Sequence, residues 1–102
     1  MSNEINEIKI DKGEELLPIG TVVGIDLVNQ AVMIYGRKQR KIDQDDELSY
    51  DYVGCPYPQG HMSDKTNVFF QQDNIKEVYF KGLETTGEKI LRERLKQVFK
   101  EK

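Results

Sequence analysis

Apolar residues recur along this chain with the two-residue period of strands for most of its length, then change once to a helical period near the C-terminus. From Leu16, the run LLPIGTVVGIDLV is rich in β-branched residues. Val23, Ile25 and Leu27 share one face while Thr21, Gly24 and Asp26 interrupt the run, and together they predict the first strand. Val28-Asn29-Gln30-Ala31 supplies a turn, and AVMIYGR returns as a second strand that Gly36 ends or bulges. The charged segment from Arg37 to Glu47 is expected to be a loop. It leads into a third strand, Leu48 to Val53, in which Tyr50 and Tyr52 lie on one face.

Val68-Phe69-Phe70 reads as a fourth strand too short to stand without neighbours. Asp73 or Asn74 is suited to cap one helical or 3₁₀ turn running through Ile75 to Glu77, after which Val78-Tyr79-Phe80 forms a fifth strand ended by Gly82. The fold expected from this order is mainly β, a small SH3-like bent five-stranded barrel or sheet with a C-terminal amphipathic α-helix. Two packed sheets are the alternative.

The helix is expected from Thr85 or Thr86 to Lys102. Ile90, Leu91, Leu95, Val98 and Phe99 form its apolar stripe, and Glu88, Lys89, Arg92, Glu93, Lys96 and Lys100 fill the remainder. Burying such a stripe is worth ~1.5 to 3 kcal/mol per side chain, so it is expected to cover something. Docking on the barrel's own open side is the simplest outcome, and a homodimer or a partner's helix is the alternative. The domain reading is then a weakly ordered extension at 1–15, a β-barrel domain at 16–82 and the helix at 83–102.

Composition narrows the class. The 102 residues are 37% hydrophobic and 32% charged, with mean hydropathy −0.66 and no apolar run long enough for a membrane span. The opening MSNEINEIKI carries acidic charge where a secretory signal would be basic, which points to the cytoplasm. Cys55, the only cysteine, has no internal disulfide partner, in agreement with a reducing compartment. A net charge of −3 opposes general nucleic-acid binding. The basic block Arg37, Lys38, Arg40, Lys41 and the acidic block Asp43, Asp45, Asp46, Glu47 most simply pair with each other in solvent.

The most distinctive stretch is Ser49 to His61, SYDYVGCPYPQGH. It gathers three tyrosines, two prolines, two glycines and the only cysteine and histidine. Pro56 and Pro58 restrict their own φ and bias Cys55 and Tyr57 toward extended geometry, so CPYP should hold one shape. The plain reading is a turn that serves the fold, and the functional one is a rigid aromatic contact loop.

Tests for chemistry point away from catalysis. Cys55 with His61 makes half a zinc site, and as nucleophile and base the pair lacks an orienting third group. Asp45 and Asp46 sit in a hydrophilic run that does nothing to separate their pKa values. Gly20 and Gly24 lack the ending of a phosphate-binding loop. No cofactor and no metal are expected. Tyr50, Tyr52 and Tyr57 neighbour Asp51 rather than a basic stripe, which argues against single-stranded nucleic acid and leaves it a further alternative.

LLPIGTVV, MIYGR, YDYVGCPYPQG and FFQQDNIKEVYFKG, in this order, resemble a family of small Gram-positive proteins known as a domain of unknown function, DUF4176-like, encoded in type VII secretion loci beside LXG toxins. The likeness covers roughly Leu16 to Gly82. It implies a non-enzymatic, protein-binding accessory factor, a chaperone or targeting factor for an LXG toxin encoded nearby, with immunity against the toxin as the alternative. The residues expected to meet the partner are Tyr50, Tyr52, Pro56, Tyr57 and Pro58 in the loop region and Leu91, Leu95 and Phe99 on the helix.

Overall fold

The structure, a computed structural model, describes residues 10–43 and 46–99, with the backbone alone at 41–43, 46–48 and 99. Residues 1–9 of the expected N-terminal extension, the tip of the charged segment at 44–45 and the last residues of the expected helix lie outside it.

The strands are β1 (Val22–Ile25), β2 (Val32–Asp43), β3 (Asp46–Pro56), β4 (Val68–Phe70) and β5 (Ile75–Phe80), followed by the helix α1 (Thr86–Phe99). They form one antiparallel sheet in the order β4-β3-β2-β1-β5, and a 3₁₀ turn at Gln72–Asn74 links the two edge strands. The architecture is therefore mainly β with a C-terminal helix, as the alternation predicts. No pairing joins β4 to β5 among the described residues, so the bent sheet stays open rather than closing into a barrel.

Several boundaries move from their expected places. The segment Arg37 to Glu47, expected as a loop, continues the two central strands into a long hairpin. Arg40 faces Ser49, Lys41 faces Leu48, Ile42 faces Glu47 and Asp43 faces Asp46, so the antiparallel ladder runs on through the charged residues. The ladder is made by backbone N–H and C=O groups, and a block of charged side chains is therefore no barrier to strand formation. Within this ladder Lys38 holds a φ of 52°, in the left-handed region, and its ammonium reaches Asp51 at 3.0 Å. The 3₁₀ turn also falls earlier than expected, and β5 begins at Ile75 instead of Val78. Leu27 leaves the strand and is exposed.

The core joins Leu17, Val23, Ile25, Val32, Ile34, Tyr52, Phe70, Ile75 and Val78, with Ile10, Leu16 and Val68 packed against it. Residues 10–18 bind beside the open seam. Lys12 Nζ donates to the Gln72 and Ile75 carbonyls at 3.0 and 3.1 Å, and the Gln72 amide donates to the Gly13 carbonyl at 3.3 Å. Gly82 passes so close to the preceding turn that a Cβ there would sit 2.1 Å from the Ile19 carbonyl oxygen. Its N–H donates to the buried Thr21 hydroxyl at 3.0 Å.

β4 ends after three residues, where Gln71 turns into the 3₁₀ segment and its N–H donates to Asn74 Oδ1 at 2.8 Å. Its side chain continues the ladder that its backbone abandons. The Gln71 amide accepts from the Asp51 N–H at 3.1 Å and donates to the Ser49 carbonyl at 3.0 Å.

Candidate protein-contact surface

β3 runs to Pro56, and the chain then folds over in a turn braced from both sides. The Tyr57 N–H donates to the Ala31 carbonyl at 2.9 Å, and the Gly60 N–H donates to the Pro56 carbonyl at 2.7 Å. The Gln30 side-chain amide donates to the Tyr57 carbonyl, and the Tyr57–Pro58 peptide is cis. Gly60 has a φ of 82°, a conformation that glycine adopts without a Cβ penalty. Named bonds thus brace the turn, and the Tyr57 side of it faces outward at 49% exposure.

Other residues extend this surface. Met62, at 64% exposure, follows the loop, and Tyr35 meets the His61 ring edge-on at 6.1 Å. A groove of about 600 Å³ lies between the loop, the turn before β2 and the β3–β4 edge, with Val28, Tyr50, Pro56, Met62, Lys65 and Phe69 in its lining. Tyr50 packs its ring on Phe69 with centroids 5.5 Å apart. Burial raises the Tyr35 phenol above its ordinary value, with Cys55 and Asp64 adding to the effect.

Tyr52 does not belong to this surface. It is fully buried and stacks on Phe70 at 5.2 Å. Its hydroxyl accepts from the Leu17 N–H at 2.9 Å and donates to Gln72 Oε1. The expectation of a partner contact is corrected for a physical reason, since both hydrogen-bonding capacities of the phenol are met indoors and its ring can enter the core at no polar cost. Burial pushes its pKa up to about 12. Pro58 is exposed and Pro56 half-buried.

The helix supplies the second group of expected residues. Thr85 caps it, its hydroxyl accepting from the Glu88 N–H at 3.1 Å. Arg37 reaches Glu88 with both nitrogens, at 2.5 and 2.9 Å, and also donates to the Leu17 carbonyl at 3.3 Å. Arg92 donates to Glu84 at 2.6 Å and to the Leu16 carbonyl at 3.3 Å. This bond holds the Glu84 carboxyl below its ordinary value and raises the Arg92 guanidinium.

These charged contacts set the rotation of α1. Ile90 at 56%, Leu91 at 44% and Val98 at 61% exposure are left facing solvent, with Leu95 half-buried between the two sides. The simple outcome, an apolar stripe buried on the open sheet, is therefore corrected, because the face turned inward is the one carrying Glu88 and Arg92. The side chain of Phe99 lies outside the described residues.

Sequence reasoning missed Arg37, Glu88 and Arg92 as the fastening of the helix, and Met62 as part of the loop surface. The only local signal was the i, i+4 spacing of Glu88 and Arg92. Cys55 is buried in β3, whereas His61 is exposed with Nδ1 3.1 Å from Asn67 Oδ1. Among the described residues no three His, Cys, Asp or Glu side chains gather where a metal ion could be held, and no helix is long and apolar enough to cross a membrane.

No curated protein and no solved structure is detectably similar to the chain. The family model for a domain of unknown function (DUF4176) matches residues 16–91, a span that takes in all five strands, the CPYP loop and the first residues of α1. On the strength of that match over most of its length, the chain belongs to the DUF4176 family.

Proposed function

We propose that the protein is a non-enzymatic binding factor of the cytoplasm that presents the Tyr57 loop to a protein partner, and that it serves as a chaperone or targeting factor for an LXG toxin of a type VII secretion system. The observation that carries this reading is the pairing of exposure with restraint at one aromatic residue. Tyr57 is half exposed, yet its own N–H and carbonyl are both held by the turn before β2. An aromatic anchor restrained before contact loses little entropy on docking, and such residues dominate interface energies. Met62 and the groove beside Pro56 add apolar area next to that anchor. The toxin partner follows from the family resemblance.

Pull-down of an LXG toxin from the same cell tests the reading. The wild-type chain should retain the toxin, and Tyr57→Ala should weaken retention by about tenfold or more while the melting temperature stays within a few degrees. Retention unchanged by Tyr57→Ala would remove the loop as the contact, and no retention by the wild type would remove the toxin as the partner. Co-expression with each half of the toxin separates a chaperone from an immunity protein, which would hold the C-terminal active domain.

A further inference from the structure

The exposed face of α1 carries a charge that specifies what can cover it. Ile90, Arg94 and Val98 stand at i, i+4 and i+8, so they form one ridge about 12 Å long with Leu91 beside it. All four are exposed. Arg92, two positions away, is bonded to Glu84 and the Leu16 carbonyl, whereas the Arg94 guanidinium has neither an ion pair nor a hydrogen bond among the described residues. Lys89 and Glu93 stand beside Ile90 and Arg94 on the same open face of the helix. Glu93 accepts from Gln97 at 3.3 Å, so this face holds two cations against one carboxylate that is already engaged.

Covering this ridge with apolar surface alone would strand a guanidinium away from water, at a cost of several kcal/mol. A second copy of the chain fits poorly. The ridge from Ile90 to Val98 is symmetric about Arg94, so a parallel two-fold, or an antiparallel one centred on the ridge, sets the two guanidinium groups face to face. The repeat of about 6 Å along the ridge matches the i, i+4 rows of another helix. The bonds to Arg37 and Glu84 hold the ridge outward before any partner arrives.

We infer that this face receives an amphipathic helix of a partner protein whose apolar row carries an Asp or Glu opposite Arg94. The inference rests on the protein-binding reading above and names the chemistry of one contact. Its test uses two labelled synthetic amphipathic helices of about three heptads, alike in their leucine seam except at one central seam position, Glu in one and Lys in the other. Each is titrated with the full chain at low salt and read by fluorescence anisotropy.

The acidic helix should bind about tenfold or more tighter than the basic one. Arg94→Glu should invert that preference, and Leu91→Asp should abolish binding of both. Absence of binding, equal binding of the two peptides or an unchanged preference in Arg94→Glu overturns the inference. Sedimentation of the chain alone adds a further arm: a dimer that Leu91→Asp dissolves would show that a second copy covers the face, and overturns it as well. Tyr57→Ala should leave peptide binding unchanged, and a loss there would place the peptide on the loop instead. The pull-down with Tyr57→Ala reports on the loop alone, so either idea can fail without the other.

Discussion

Arg37 on β2 and Glu88 on α1, 51 residues apart, meet in a two-pronged ion pair whose side chains are only 4% and 10% exposed. Removing one member of such a pair leaves an unmatched charge in a poorly solvated place, whereas removing both leaves none. Glu88→Gln should therefore lower stability to urea by about 3 kcal/mol, and Arg37→Met with Glu88→Leu should recover most of that loss. Equal losses in the single and double variants would show that the pair does not act as a unit.

Tyr52 gives a prediction at high pH. Its folded pKa, about 12, is raised above the ordinary 10.0 by burial, so the folded state resists ionisation that the unfolded state accepts. The resulting stability is complete below pH 10 and is lost as pH rises through 12, by about 3 kcal/mol in all. Urea titrations across this range should show the decline, and Tyr52→Phe should flatten it. At neutral pH the same variant should cost about 1 to 3 kcal/mol, because the Leu17 N–H loses its acceptor.

Glu84 titrates with the opposite sign. The bond from Arg92 depresses its pKa below 4.5, so its contribution is present above the ordinary carboxylate value and is lost as pH falls through the folded one. Melting temperature followed down the acid limb should fall less steeply in Glu84→Gln than in the wild type. Parallel limbs would mean that Arg92 gains nothing from the carboxylate.

Gly82→Ala tests the close passage of the chain over the Ile19–Gly20 turn. The added methyl would meet a backbone oxygen at 2.1 Å, beside the bond from the Gly82 N–H to the Thr21 hydroxyl. A loss of about 3 kcal/mol is expected in chemical denaturation. A loss under about 0.5 kcal/mol, typical of open surface positions, would show that the turn adapts.

The elements legible in the sequence are those whose side chains are partnered locally. β-branched runs mark β1 and the start of β2, and the short apolar run Val68-Phe69-Phe70 marks β4, because β-branched and aromatic residues in a run are themselves the signal. The charged half of the hairpin was hidden, since the pairing of Arg40 with Ser49 and Lys41 with Leu48 is a property of two strands together. Tyr52 was placed on the wrong side of the boundary because its acceptor and donor, Gln72 and Leu17, lie 20 and 35 residues away. The amphipathic period of α1 was plain, but its rotation depends on Arg37 and Glu84, which no periodicity within the helix reveals.

The side-chain amide of Gln71 bears on how the molecule behaves when crowded. Where β4 stops, the Ser49 carbonyl and the Asp51 N–H would otherwise be a vacant landing strip for a foreign extended segment, and the carboxamide occupies both. One residue thus acts as a stopper against runaway sheet growth between copies, at a place where a longer strand would have offered a fresh edge of its own.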